Sequence, residues 1–183
     1  MLKHNLKLRT LLIYLNNHVI SRIIFSSIRL FWYRHVMDFK IGDKSSILTH
    51  FKVSERKNIE IGNHTVINNA CRFDNRFPIK IGNNVSISYG TSILTKGHNI
   101  DDPDFRTMGE SVVIEDYVWI SAFAIILPGV ILKKGCVVLP GSVVTKDVEP
   151  YHVVGGNPAM FIRRRNQDLH YELYWDPWVP FWG

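Results

Sequence analysis

Residues 112–165 read VVIEDYVWISAFAIILPGVILKKGCVVLPGSVVTKDVEPYHVVGGNPAMFIRRR, and a period of six runs through most of them. Ile114, Ile120, Ile126, Leu132, Val138 and Val144 are each six residues apart. Four residues after each anchor comes a compact side chain: Val118, Ala124, Val130, Cys136, Ser142 and Val148. An α-helix repeats every 3.6 residues and a flat strand every two, so neither explains a six. The period suits short strands joined by tight turns, with three hexapeptides closing one triangular coil. The aliphatic anchor fills the interior, and the compact residue sits where backbone crowds a corner. Each coil then covers the apolar face of the one before it.

Upstream the same unit returns. Ile41-Gly42, Ile61-Gly62 and Ile81-Gly82 are 20 residues apart, each followed by a polar pair: Asp43-Lys44, Asn63-His64 and Asn83-Asn84. Within these units Ile41, Ile47 and Val53 keep the six-residue step, as do Ile61, Ile67 and Phe73, then Ile81, Ile87 and Ile93. The compact slots hold Ser45, Thr65, Cys71, Val85 and Thr91. Gly, Asn and Asp at the turns tolerate unusual backbone angles. Two breaks interrupt the repeat: Asn68 to Pro78, and Lys96 to Ser111 (KGHNIDDPDFRTMGES). The second holds His98 and four acids, and a polar loop of that length on a regular solenoid is usually functional.

A length of 183 residues fits one compact domain. Hydrophobic residues at 46% and charged residues at 21% exclude long disorder and collagen-like sequence. The net charge of +6 is an N-terminal property: residues 1–40 hold seven basic side chains and one acid, and the remainder is balanced. A neutral body argues against a nucleic-acid-binding domain, which would carry a basic stripe. Two cysteines, Cys71 and Cys136, cannot make a disulfide framework and point to a reducing, cytoplasmic compartment. Neither has a partner at zinc-ligand spacing, so no metal is expected.

The stretch Leu11 to Tyr33 is apolar but is interrupted by Asn16, Asn17, His18, Arg22 and Arg29. It falls short of the ~18–20 uninterrupted residues of a membrane span and lacks a signal-peptide cleavage pattern. Leu8, Leu11, Leu12, Leu15, Val19, Ile23 and Ile24 have helical spacing. Two readings stay open: a helix packed on its own protein or a neighbouring subunit, or a basic helix lying peripherally on an anionic membrane. The expected organisation is a helical segment over 1–38, a coiled β domain over 39–165 with a protruding loop 96–111, and an aromatic extension over 166–183. That extension carries Tyr171, Tyr174, Trp175, Trp178, Phe181 and Trp182, an aromatic area that seldom stays in water.

With these residues in view, the chain resembles the hexapeptide-repeat acyltransferases, in the branch of galactoside, maltose, serine and bacterial polysaccharide O-acetyltransferases. The most specific parts are Leu127-Pro128-Gly129-Val130, the run Gly141 to Asp147, and Gly155-Gly156-Asn157-Pro158-Ala159. The match covers 41–165. The resemblance implies an all-β, left-handed parallel β-helix, a homotrimer with sites between subunits, and acetyl-CoA as donor. It implies His98 as the catalytic base and Trp119 near the thioester. Ala122, Pro140, Thr145 and Lys146 would line the CoA, and Arg163 would follow the Asn-Pro-Ala turn. Where some relatives carry a second basic residue, this chain has Met160, which shifts the phosphate contact toward Arg164 or Arg165. The acceptor-side Asn falls at Asn68, with Asn69 adjacent.

Each assignment has a plainer alternative. Asp74 and Asn75 would hydrogen-bond sugar hydroxyls or simply form a turn. Asp102 is an acceptor-side candidate, although Asp101, Asp102 and Asp104 would also cap the turn at Pro103 or orient the imidazole. Trp119 would pack between subunits instead of touching CoA, and Arg163 to Arg165 would be a solvated run. Cys71 and Cys136, in compact slots, read as buried structural thiols. The expected activity is acetyl transfer to a sugar hydroxyl in surface polysaccharide synthesis, such as capsule, O-antigen or exopolysaccharide. Other small hydroxyl or amine acceptors, or a non-catalytic β-helix scaffold, are the alternatives. A metal-dependent carbonic-anhydrase-like site would need several His ligands on adjacent coils.

Overall fold

The computed structural model describes residues 2–175, so Trp178, Phe181 and Trp182 of the aromatic extension lie outside the described residues. Two helices, α1 (Leu2–His18) and α2 (Ser26–His35), precede the coils, with a 3-10 turn at Ile20–Arg22 between them. The first coil is β1 (Lys40–Ile41), β2 (Ser46–Ile47) and β3 (Lys52–Val53). The second is β4 (Ile59–Ile61), β5 (Val66–Ile67) and β6 (Arg72–Asp74), and the third β7 (Ile79–Ile81), β8 (Ser86–Ile87) and β9 (Ser92–Leu94). A hairpin of β10 (Lys96–His98) and β11 (Thr107–Gly109) then leaves the stack. It returns as β12 (Val112–Ile114), β13 (Trp119–Ile120) and β14 (Ile125–Ile126), then β15 (Ile131–Leu132), β16 (Val137–Val138) and β17 (Val143–Val144). A partial sixth coil ends in β18 (His152–Gly156), against which β19 (Ala159–Arg164) folds back antiparallel.

Three faces result. Face A stacks β1-β4-β7-β12-β15, face B runs β2-β5-β8-β13-β16-β18 with β19 at its edge, and face C stacks β3-β6-β9-β14-β17. Successive coils pair in parallel, which makes an all-β solenoid of about six turns. The register is anchor on anchor: Ile61 pairs with Ile41 and Ile81, and Ile120 pairs with Ile87 and Val138. The anchors from Ile47 to Val144 form one core, and the compact slots from Ser45 to Val148 are all buried.

The corners explain the Gly and Asn spacing. The residue three after eleven of the fifteen anchors adopts positive φ, at Lys44, His50, His64, Ala70, Asn84, Gly90, Tyr117, Phe123, Gly129, Gly135 and Gly141. Sequence reasoning expects Gly, Asn or Asp there, yet Tyr117 (φ 61°) and Phe123 (φ 59°) also comply. Their amides donate to Asn83 and Tyr89 carbonyls of the preceding coil at 2.9 Å each, so stacking over-determines the conformation. At the A/B corner, Asn63 Oδ1 accepts from the Asp43 amide, Asn83 Oδ1 from Asn63, and Asp116 Oδ1 from Asn83. Those side chains lie where a Cβ on Gly42, Gly62 or Gly82 would be, which is why the Ile-Gly pairs recur.

The first break is narrower than the sequence suggests. Asn68 to Asp74 stay in register through β5 and β6, and only Asn75–Pro78 depart. The departures at 54–58, 75–78 and 95–111 all leave from the C/A corner. Asn75 is fully buried and staples it: its Oδ1 accepts from the Ser54 and Glu55 amides, and its Nδ2 donates to the Glu55 and Lys57 carbonyls. Asn75 is thus a turn-former.

The helices pack on the first coil, α1 against β3 and α2 against β2, so Tyr33, Met37 and Phe39 join Phe51 in the core. Their amphipathicity is unlike the one helix expected from Leu8 to Ile24. Arg29 is buried and its guanidinium donates to the Ile23, Ile24 and Ile47 carbonyls, whereas Leu8, Leu11, Val19 and Ile24 are exposed. Cys71 and Cys136 are buried without a disulfide, and burial pushes both thiols up to about 12, against thiolate chemistry.

Candidate active site

The protruding hairpin is held at its base. Thr95 Oγ1 donates to the Asp74 carbonyl at 2.5 Å and accepts from the Phe77 amide at 2.9 Å. The Phe77 ring covers Gly109, where a Cβ would come within 2.4 Å of it. Across the hairpin His98 pairs with Thr107. At the tip the Phe105 amide donates to the Asp102 carbonyl at 2.8 Å, and Phe105 takes φ 49°. That turn brings Phe105 back over His98, with the rings stacked at 4.2 Å and 7°.

His98 Nδ1 lies 2.8 Å from the Phe105 carbonyl oxygen. A carbonyl only accepts, so in the neutral imidazole Nδ1 carries the proton and Nε2 keeps its lone pair. Because His98 is exposed, that lone pair is open to an incoming hydroxyl. The group orienting the imidazole is therefore a carbonyl, not one of the loop aspartates. Asp102 builds the loop: Oδ1 accepts from the Asp104 amide at 2.9 Å, and Oδ2 is 3.6 Å from Arg106 Nε. Asp74 is bound by Arg76 through Oδ1 at 2.7 Å and Oδ2 at 2.5 Å, which occupies both carboxylate oxygens.

The sequence-predicted residues fall into two sets within one chain. His98, Asp74, Asp102, Thr145 and Lys146 belong to the C/A corner and its loop. Asn68, Trp119, Ala122 and Pro140 belong to face B and the B/C corner. Trp119 is 44% exposed and donates from Nε1 to Ser88 Oγ at 3.2 Å. Arg163 and Arg164 lie on β19, opposite Val153 and His152, and among the described residues neither meets a carboxylate. Arg165 is the arginine that shares a cavity with Trp119, together with Ser86, Tyr171 and Leu173. Sequence reasoning missed Ser88 and Phe105, which no motif marks, and gave no site role to Leu173. Among the described residues no group of three or more His, Cys, Asp or Glu is placed to hold a metal ion.

A parallel β-solenoid with an exposed, oriented histidine on its one long loop defines a class, the hexapeptide-repeat transferases. Residues 111–146 match the family described as bacterial transferase hexapeptide (six repeats). A hexapeptide-repeat-containing acetyltransferase of Vibrio cholerae O1 biovar eltor, solved with acetyl coenzyme A, superposes with a TM-score of 0.79. It is 32% identical, with 86% of this chain and 87% of that chain covered. The galactoside O-acetyltransferase of Escherichia coli K12 is 31% identical over 136 residues, which are 72% of this chain and 66% of that protein. A chloramphenicol acetyltransferase of Agrobacterium fabrum is 47% identical over 74 residues, 38% of this chain but only 35% of its own length. The chain belongs to the hexapeptide-repeat acetyltransferases.

Proposed function

We propose that this chain transfers an acetyl group from acetyl-CoA to a sugar hydroxyl, with His98 as general base. The observation that carries the reading is His98 Nδ1 at 2.8 Å from the Phe105 carbonyl oxygen, an acceptor that in the neutral ring calls for the proton on Nδ1 and leaves Nε2 to take another. As the sugar oxygen attacks the thioester carbonyl, its proton passes to Nε2. The tetrahedral intermediate collapses with cleavage of the C–S bond, and the imidazolium returns the proton to the CoA sulfur. The products are an acetyl ester and free CoA thiol. Support for the donor comes from the Vibrio cholerae relative with acetyl coenzyme A, and for a sugar acceptor from the galactoside O-acetyltransferase.

The site is read as lying between subunits of a homotrimer. What supports this is the division of candidates over two corners. A heterologous contact that closes into a ring uses two different patches of each subunit, here the C/A corner with His98 and the B/C corner with Asn68. Sedimentation equilibrium at micromolar concentration is expected to give three chain masses; a mass of one chain would remove the shared site.

At the phosphate end, Arg163→Ala is expected to weaken acetyl-CoA more than dephospho-acetyl-CoA, by about 1.5–3 kcal/mol for a lost charge-assisted bond. Equal losses for both donors would transfer that role to Arg164 or Arg165, or remove it. Thr145 and Lys146, with Trp119, Ala122 and Pro140, are read as lining the pantetheine arm.

A place in bacterial surface polysaccharide assembly, on the cytoplasmic side, is the biological setting proposed. It draws on the basic N-terminus and on the exposed Leu8, Leu11, Ile28 and Phe31 of its helices, which suit peripheral contact with an anionic membrane. No described helix is long and apolar enough to cross a membrane. The test is thiol release from acetyl-CoA against a panel of sugars with chloramphenicol and an amine included. Turnover restricted to chloramphenicol or the amine would reassign the acceptor.

A further inference from the structure

Beyond β19 the chain returns as an extended strap down the A/B corner. The Arg165 amide donates to the Tyr151 carbonyl at 2.9 Å on the last coil. Leu169 reaches Gly135, and Tyr171 stands edge-on to Tyr117 with ring centroids 5.3 Å apart. The Leu173 amide donates to Asn84 Oδ1 at 3.2 Å, and its carbonyl accepts from His64 Nδ1 at 3.2 Å. The strap therefore descends about two residues per coil and is pinned at five successive coils, from Tyr151 down to His64.

Between this strap and face B lies a cavity of about 250 Å³. Its floor is Leu48, Val66, Asn68 and Ser86 of the first three coils, and its wall is Leu173 to Trp175. It shares Ser86 and Leu173 with the cavity lined by Trp119 and Arg165, so the two adjoin and the trough beside Asn68 borders the donor candidates. Tyr174 and Trp175 line it while remaining 65% and 41% exposed. Among the described residues Asn68 Oδ1 accepts from the Asn69 amide, whereas Asn68 Nδ2 and Ser86 Oγ make no hydrogen bond to the protein.

We propose that the strap builds a second saccharide subsite, so that the acceptor is at least a disaccharide whose outer ring stacks on Tyr174 and Trp175. This rests on the sugar O-acetyltransferase reading and narrows its substrate. A pyranose offers a C–H face to aromatic rings and hydroxyls at its edge. The trough supplies both partners, two exposed aromatics and two uncommitted donors, in a space about one ring in size. An alkyl chain would leave the amide and hydroxyl unpaired.

The experiment compares lactose and maltose with galactose and glucose as acceptors for the wild type, Trp175→Ala, Tyr174→Ala and Trp175→Phe. Each alanine variant is expected to raise the disaccharide KM about 10–100-fold. The monosaccharide kcat/KM and the acetyl-CoA KM should stay within about twofold, because they use the remainder of the site. Trp175→Phe should recover most of the disaccharide affinity, since it keeps a stacking face. Equal losses on monosaccharides and disaccharides, or none on either, would overturn the subsite while leaving sugar acetylation standing. Absence of wild-type turnover with all four sugars, alongside intact acetyl-CoA binding, would overturn both.

Discussion

The His98→Asn variant is expected to turn over about 10²–10⁴-fold more slowly than wild type, the usual contribution of a positioned general base. Asparagine is the informative replacement because of the Phe105 carbonyl. Its amide can still donate there as Nδ1–H does, so the hairpin keeps its tip, but no basic nitrogen remains to take the hydroxyl proton. The loss should fall on kcat, with acetyl-CoA affinity within about twofold, because the base acts only as the transition state forms. His152 is the comparison. It lies on β18, with its ring 4.5 Å from Phe161 and away from the hairpin. If His98→Asn keeps wild-type kcat and His152→Asn does not, the base is misassigned even though the family stands.

A large effect on stability is expected at Gly62. A Cβ there would lie 2.6 Å from Asn83 Oδ1, and 2.7 and 2.8 Å from the carbonyl carbon and oxygen of Gly82. The Asn83 side chain could rotate away at the cost of its bond to the Asn63 amide, but the Gly82 backbone cannot. It belongs to the next coil, whose Ile81 carbonyl accepts from the Gly62 amide at 2.8 Å. Gly62→Ala should therefore cost about 3 kcal/mol, the upper range for overpacking. For a chain of this size that is a fall in Tm of about 6–12 °C. Two further alanine variants separate the causes. Gly141→Ala meets open space but has φ +68°, and should cost about 1–2 kcal/mol from strain alone. Gly97→Ala meets neither, and should stay within about 0.5 kcal/mol. A Gly62→Ala midpoint equal to that of Gly97→Ala would refute the close approach of the coils.

The solenoid was legible because its contacts repeat. A residue and its partner one coil on are separated by a constant 18 or 20 positions over most of the stack, so each anchor and compact slot is written several times. Burial of Ile114 to Val144, and of Val118 to Val148, follows from that period and needs no tertiary information. The loop was legible for the opposite reason, as the long stretch where the repeat stops.

What the sequence could not decide rests on contacts made once. Nothing periodic announces that Phe105 turns back to orient His98, that Asn75 spends its whole amide stapling a corner, or that the helices bury Arg29 and expose Leu8 and Leu11. Nor could the spacing tell that Asn68 and His98 stand at different corners, or that residues 166–175 return along four coils to wall a trough. A local pattern determines which side of the backbone meets the core. Which distant segment meets a given corner depends on a single long-range closure, and only the folded chain holds that information.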